Sequence, residues 1–120
     1  MGKRILVVDD LRNFPFAADD SGTTVRTSAE ALRFLFPMDG SREYLDELWL
    51  DFDLGDDYVK GGDTAMPVAL FLAESAFYGT LYPVETILIH TSNPVGREAM
   101  GMLLRRYGYN VKDVEAHFGV

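Results

Sequence analysis

Apolar residues fall along this chain in short unbroken runs and in stripes at helical spacing, and the two kinds of pattern alternate. The first run, Ile5-Leu6-Val7-Val8, follows Arg4 and has no polar interruption, as in a central parallel strand covered on both faces. It stops at Asp9-Asp10. Leu11 to Asp20 contains Phe14, Pro15 and Phe16 and closes in an Asp19-Asp20-Ser21-Gly22 turn, so a helix there is expected to be short or broken at Pro15. Thr23 to Arg26 reads as a second, more polar strand nearer the sheet edge. Thr27-Ser28-Ala29-Glu30 has the form of a capping box, and Ala31, Leu32, Leu35 and Phe36 continue it as a helical stripe up to Pro37. Arg42 to Glu47 is expected to add one or two helical turns.

Leu48-Trp49-Leu50 opens a third strand that turns acidic at its carboxyl end, where alternation places Asp51 and Asp53 on one side and Phe52 on the other. A polar loop from Asp56 to Gly62 follows. Asp63 or Thr64 is then expected to cap a helix with Pro67 in its first turn. Val68, Ala69, Leu72 and Ala76 form its buried stripe, widened by Leu70 and Phe71. Gly79 and Pro83 bracket a loop before a fourth strand, Ile87-Leu88-Ile89, which ends at His90. Asn93 suits an N-cap and Pro94 the first position of a helix reaching Tyr107. Ala99, Met100, Leu103, Leu104 and Tyr107 are expected to face the core, Arg105-Arg106 lie at the negative end of the helix dipole, and Gly108 is the stop. Tyr109-Asn110-Val111 predicts a short fifth strand, with the closing helix short or absent. The pattern is α/β: an open parallel sheet of about five strands with helices on both faces, as one domain over residues 1–120.

Composition narrows the function. With no cysteine, disulfides, thiolate metal sites and cysteine nucleophiles are excluded. No apolar run is long enough to span a bilayer and no signal peptide is legible, so the expected compartment is the cytoplasm, with no membrane partner. The net charge of −8 disfavours duplex DNA, whose binding rests on Lys and Arg. A small phosphorylated ligand remains compatible if a metal ion reverses the local sign.

Candidate chemistry collects at the strand ends. Asp9 and Asp10 repel one another unless water or a cation separates them. If the sheet is parallel, Asp51 and Asp53 lie beside them, and magnesium is the natural cation for such an oxygen-rich edge. His90-Thr91-Ser92-Asn93-Pro94-Val95-Gly96 places an imidazole, two hydroxyls and an amide at a helix start, a position that attracts phosphate. His117, in the tail, is read as incidental.

An acidic pair after the first strand and an Asp after the third resemble the receiver domain of two-component signalling. That resemblance matches Asp9 and Asp10 to magnesium binding, Asp51 to the phosphoryl acceptor, and Thr91 or Ser92 to the phosphoryl-binding hydroxyl. It departs at the fifth strand, where Lys-Pro is missing and Lys112 is a poor substitute. The chain is more similar to the cyclic-phosphate-processing receiver-like family of bacteria and their phages. The motifs are Asp9-Asp10-Leu11-Arg12, Asp51-Phe52-Asp53-Leu54-Gly55, Gly61-Gly62-Asp63-Thr64 with Met66-Pro67, and the segment from His90 to Gly96. Phe52 stands where that family usually has His, which leaves His90 as the one imidazole near the edge.

The resemblance implies a metal-assisted phosphoesterase acting on a cyclic or terminal phosphate of a nucleotide or RNA end. Asp9, Asp10, Asp51 and Asp53 would hold Mg2+ or Mn2+. His90, with Asp51 and Ser92, would be catalytic, the imidazole as general acid or base because histidine as a residue type suits proton transfer near neutrality. Thr91, Ser92, Asn93, the N–H groups of Val95 and Gly96, and Arg12 or Arg97 would hold the phosphate. The alternatives are a signalling receiver phosphorylated at Asp51, and a non-catalytic phage or bacterial module that binds a nucleotide or a protein.

Overall fold

A computed structural model describes residues 2–37, 40–55 and 62–115. Its sheet is built outward from β1 (Arg4–Val8), whose Ile5, Leu6, Val7 and Val8 are all buried. β2 (Ser21–Val25) lies on one side, and β3 (Leu45–Leu50), β4 (Val84–Ile89) and β5 (Val111–Asp113) lie on the other, in the order β2-β1-β3-β4-β5. All four pairings are parallel, as the sequence pattern predicts.

The connections explain where the helices go. From β2 onward every crossover runs in one direction across the sheet, so right-handed crossovers place their helices on one face. Those helices are α1 (Ser28–Leu35), α2 (Met66–Phe77) and α3 (Pro94–Arg106). Leu6, Val8, Leu48, Leu50, Ile87 and Ile89 meet Leu35, Val68, Leu72, Met100 and Leu104 in one buried cluster. Helices were expected on both faces; among the described residues all three share this one. A closing helix would fall on residues 116–120, outside the described residues.

The opposite face is covered in part by residues 9–20, which form no helix. Three of their backbone donors go to carboxylates. Asp9 Oδ1 accepts from the Leu11 and Arg12 N–H groups, and Asp20 Oδ2 accepts from Ala17 N–H. Pro15 has no N–H to offer. Phe14 then packs 4.9 Å from Phe16 and 4.9 Å from Trp49, closing over the second face.

Other expectations change with the tertiary partners. Residues 45–47 belong to β3 rather than to helical turns. Their acids look wrong for a strand, but Asp46 accepts from Arg4 N–H at 2.8 Å, and Glu47 binds Lys3 Nζ at 2.7 Å and Trp49 Nε1 at 2.8 Å. Leu70 and Ala99 are exposed instead of joining their stripes. The capping box is present, with Thr27 Oγ1 accepting from Glu30 N–H at 3.1 Å, and Glu30 reaches back to Arg26 N–H. Gly108, at φ 95°, closes α3: its N–H bonds the Arg105 carbonyl, and Tyr109 N–H bonds that of Leu104. No described helix is long and apolar enough to cross a membrane.

Asp63 does not cap the helix that follows it. The N-cap of α2 is Ala65, and Asp63 instead accepts from Ser28 N–H at 2.8 Å and Ser28 Oγ at 2.6 Å, at the start of α1. Asp63→Ala removes both bonds and is expected to lower unfolding free energy by about 1–2 kcal/mol in urea titrations. An unchanged midpoint would show that this tie contributes nothing.

Candidate active site at the carboxyl ends of the strands

The strand order reverses between β1 and β3, and in open α/β sheets the crevice outside the carboxyl ends at such a reversal is where ligands bind. Asp9 directly follows β1, Asp51 follows β3 and His90 follows β4. The register pairs Val8 with Leu50 and Leu50 with Ile89, so the three polar residues begin one row further along. Backbone bonds extend that row: Asp51 N–H to the Val8 carbonyl, and His90 N–H to the Leu50 carbonyl, each at 3.0 Å. Since Val8, Leu50 and Ile89 face the helices, alternation turns Asp9, Asp51 and His90 toward the other side.

Asp9 is fully buried, and both its oxygens are bonded. Oδ1 accepts from Leu11 N–H at 2.9 Å and Arg12 N–H at 2.8 Å. Oδ2 lies 3.0 Å from His90 Nε2 and 3.3 Å from Arg12 Nη1. An ionised carboxylate has no proton to give, so Nε2 is the donor. Burial alone would push the Asp9 carboxyl up, but the bonds from His90, Arg12 and Leu11 outweigh it and hold the group well below the usual range.

Asp51 is 8% exposed, accepts a hydrogen bond from the Thr91 hydroxyl, and has Arg12 Nη1 at 3.6 Å from Oδ2. Burial, with the Asp9 charge beside it, pushes this carboxyl up. Asp10 is half-buried and is pushed the same way by burial and by the charges of Asp9 and Asp53. Asp9, Asp10 and Asp51 can each present an oxygen within 4.8 Å of the others.

The remaining candidates divide. Asp53 stands outside that group of three: it is exposed, and its Oδ2 accepts from Asn93 Nδ2 at 3.3 Å. His90 is fully buried against Trp49, with ring centroids 5.7 Å apart, and reaches the edge through Asp9. This departs from the expectation of an imidazole open to substrate, because its strand continues the buried row for one more residue. Thr91 is buried, with Oγ1 also accepting from Asn93 N–H at 3.2 Å, while Ser92 is exposed.

Asn93 caps α3 as expected, its Oδ1 taking the Gly96 N–H at 3.0 Å. That bond occupies one of the two amides assigned to phosphate, and of that pair it leaves the N–H of Val95, a residue 77% exposed. Arg97 donates to the Thr91 carbonyl and so braces this segment from behind. Gly96 is required by its neighbour: a Cβ there would come within 2.3 Å of the Phe52 ring. Gly61, in the third motif, lies outside the described residues.

Sequence reasoning missed Arg26. From the tip of β2 its Nη1 donates to the carbonyls of Asp9 at 3.1 Å and Arg12 at 2.8 Å, and Nη2 donates to Asn13 Oδ1 at 2.8 Å. A lone basic residue at the carboxyl end of the strand beside β1 was the available signal.

A family profile described as Cyclic-phosphate processing Receiver domain matches residues 4–106. The chain belongs to this family. No curated protein and no solved structure matches it. In this cyclic-phosphate processing receiver domain the matched span takes in the whole strand-tip site, from Asp9 to Arg97.

The acids present fit a hard divalent cation of the kind the receiver fold implies. Their donors are all oxygen, three can converge on one point, and two of the three are held against their own ionisation. The sign follows from linkage. A carboxyl raised in the folded state loses stability as pH climbs from its unfolded to its folded pKa, and the full penalty stands above both. At neutral pH, Asp51→Asn removes that penalty, so without divalent ions its Tm is expected to exceed the wild type's by a few degrees. A lower Tm would mean that Arg12 and Thr91 more than compensate the buried charge.

Proposed function

We propose that this domain is a divalent-metal-assisted phosphoesterase that opens or trims a cyclic or terminal phosphate on a nucleotide or an RNA end. The observation that carries the reading is the convergence of Asp9, Asp10 and Asp51, from two strands, at the point where the strand order reverses. Membership of the cyclic-phosphate processing family supports the substrate class. Asp9, Asp10 and Asp51 would hold Mg2+ or Mn2+, and the ion would polarise a phosphoryl oxygen or a water molecule.

The chain's own groups supply the rest. Ser92 and the Val95 N–H, both at the exposed start of α3, would receive phosphate oxygens, with Asp53 and Asn93 bonded together alongside. His90 is a positioning residue in this scheme. Its Nε2 proton fixes Asp9, and its burial keeps it from meeting substrate directly. That replaces the general acid–base role expected from the sequence, and it relieves the reading of any need for a second histidine at Phe52.

A receiver-type role, with Asp51 taking a phosphoryl group, has the Thr91–Asp51 bond in its favour. Against it, Lys112 lines a groove with Lys3, Glu47 and Thr86 and so lies away from Asp51.

The decisive assay is turnover of 2′,3′-cyclic nucleotides with Mg2+ or Mn2+, with each protein's pH profile recorded. His90→Ala is expected to reduce turnover about 10–100-fold, as removal of an outer-shell partner does, and to leave the shape of the profile intact. Loss of one limb of the profile would return His90 to proton transfer. No turnover with any metal, together with a phosphoryl adduct on Asp51 by intact mass, would replace the proposal with the receiver reading.

A further inference from the structure

The Asp9 carboxylate already has four donors around it: Leu11 N–H, Arg12 N–H, His90 Nε2 and Arg12 Nη1. A carboxylate offers about four lone-pair sites, so a cation can bind Asp9 only if one donor leaves. Three of the four cannot leave cheaply. Two are backbone groups, and His90 Nε2 is wholly buried. The fourth, Arg12 Nη1, makes the longest contact at 3.3 Å, and the same nitrogen reaches Asp51 Oδ2 at 3.6 Å.

The backbone of Arg12 is pinned at both ends, its N–H on Asp9 and its carbonyl on Arg26. Its side chain is 26% exposed and has a way out to solvent. The guanidinium can therefore swing off the acids without any movement of the loop.

Resting on the metal-assisted reading above, we infer that Arg12 is an internal counter-ion bridging Asp9 and Asp51, which an incoming divalent cation displaces, freeing the guanidinium for an anionic ligand. The site thus carries a positive charge in either condition. Released arginine is the better partner for phosphate, because its planar fork matches two phosphoryl oxygens at once.

The test is Mn2+ binding, read from the free-ion electron paramagnetic resonance signal, for the wild type and Arg12→Gln. A hydrogen bond to a charged group is worth roughly a tenfold or greater change in binding, so Arg12→Gln is expected to bind Mn2+ about tenfold more tightly. Equal or weaker binding would overturn displacement and leave the metal reading standing. Failure of both proteins to bind Mn2+ would overturn both. Should Arg12→Gln not fold, the wild type decides: saturating Mg2+ is expected to shift the Arg12 Nε–H resonance, and an unmoved resonance overturns displacement.

Discussion

A carboxylate with no exposure to water is tolerable only when its oxygens are bonded, and Asp9 is the place where this fold meets that condition. The groups that satisfy it come from two distant parts of the chain: the turn that follows β1, and the tip of β4. Meeting the requirement therefore shapes both. Residues 11 and 12 give their N–H groups to Asp9, which fixes the turn that follows β1. His90 gives its Nε2 proton inward and lies buried against Trp49. Arg26 fixes the Asp9 and Arg12 carbonyls from the other side, so the loop bearing the acids is held through its backbone as well as through one side chain.

Much of this was legible because it rests on local rules. The unbroken Ile5–Val8 run, the Thr27–Glu30 box, Asn93-Pro94 and Gly108 each act through neighbours a few residues away, and each stands where the pattern puts it. What the pattern could not give depends on partners far along the chain. Asp46 and Glu47 are poor strand residues until Arg4 and Lys3 arrive beside them. Asp63 reads as the cap of the next helix but serves α1, 35 residues earlier. The convergence of Asp9, Asp10 and Asp51 followed from a parallel sheet, yet alternation could not separate Asp53 from Asp51. Beyond β3 the chain leaves strand geometry, and Asp53 pairs with Thr64 in an isolated bridge that carries it toward Asn93.

The burial of His90 follows from the same row. β4 ends at Ile89, but His90 N–H still bonds the Leu50 carbonyl, so the pairing outlasts the apolar run by one residue. A histidine at that position is read from sequence as the polar end of a strand at the site's edge, whereas in the sheet it belongs to the interior, as does Thr91 after it. Phe52 shows the converse. Between Asp51 and Asp53 it places a ring against Gly96, so the two loops of the site are joined by packing as well as by the Asn93–Asp53 hydrogen bond.

The three acids are electrostatically unequal, and the inequality gives a division of labour. Asp9 is held below the ordinary range, and three of its donors, His90 Nε2 and the Leu11 and Arg12 N–H groups, stay in place, which makes it a fixed charge. Asp10 and Asp51 are raised, by burial first and then by the fixed charge beside them. One guanidinium cannot neutralise three carboxylates, and Arg12 pairs with Asp9 and Asp51. The residual strain falls on the two groups with room to change partner. Under the proposed chemistry those are the groups that would gain most from a divalent ion, since its charge would lower both at once while Asp9 needs no further help. A set of three equally stabilised acids would bind such an ion less well, because the ion would have less repulsion to relieve. The firmness of Asp9 is thus what leaves its neighbours receptive.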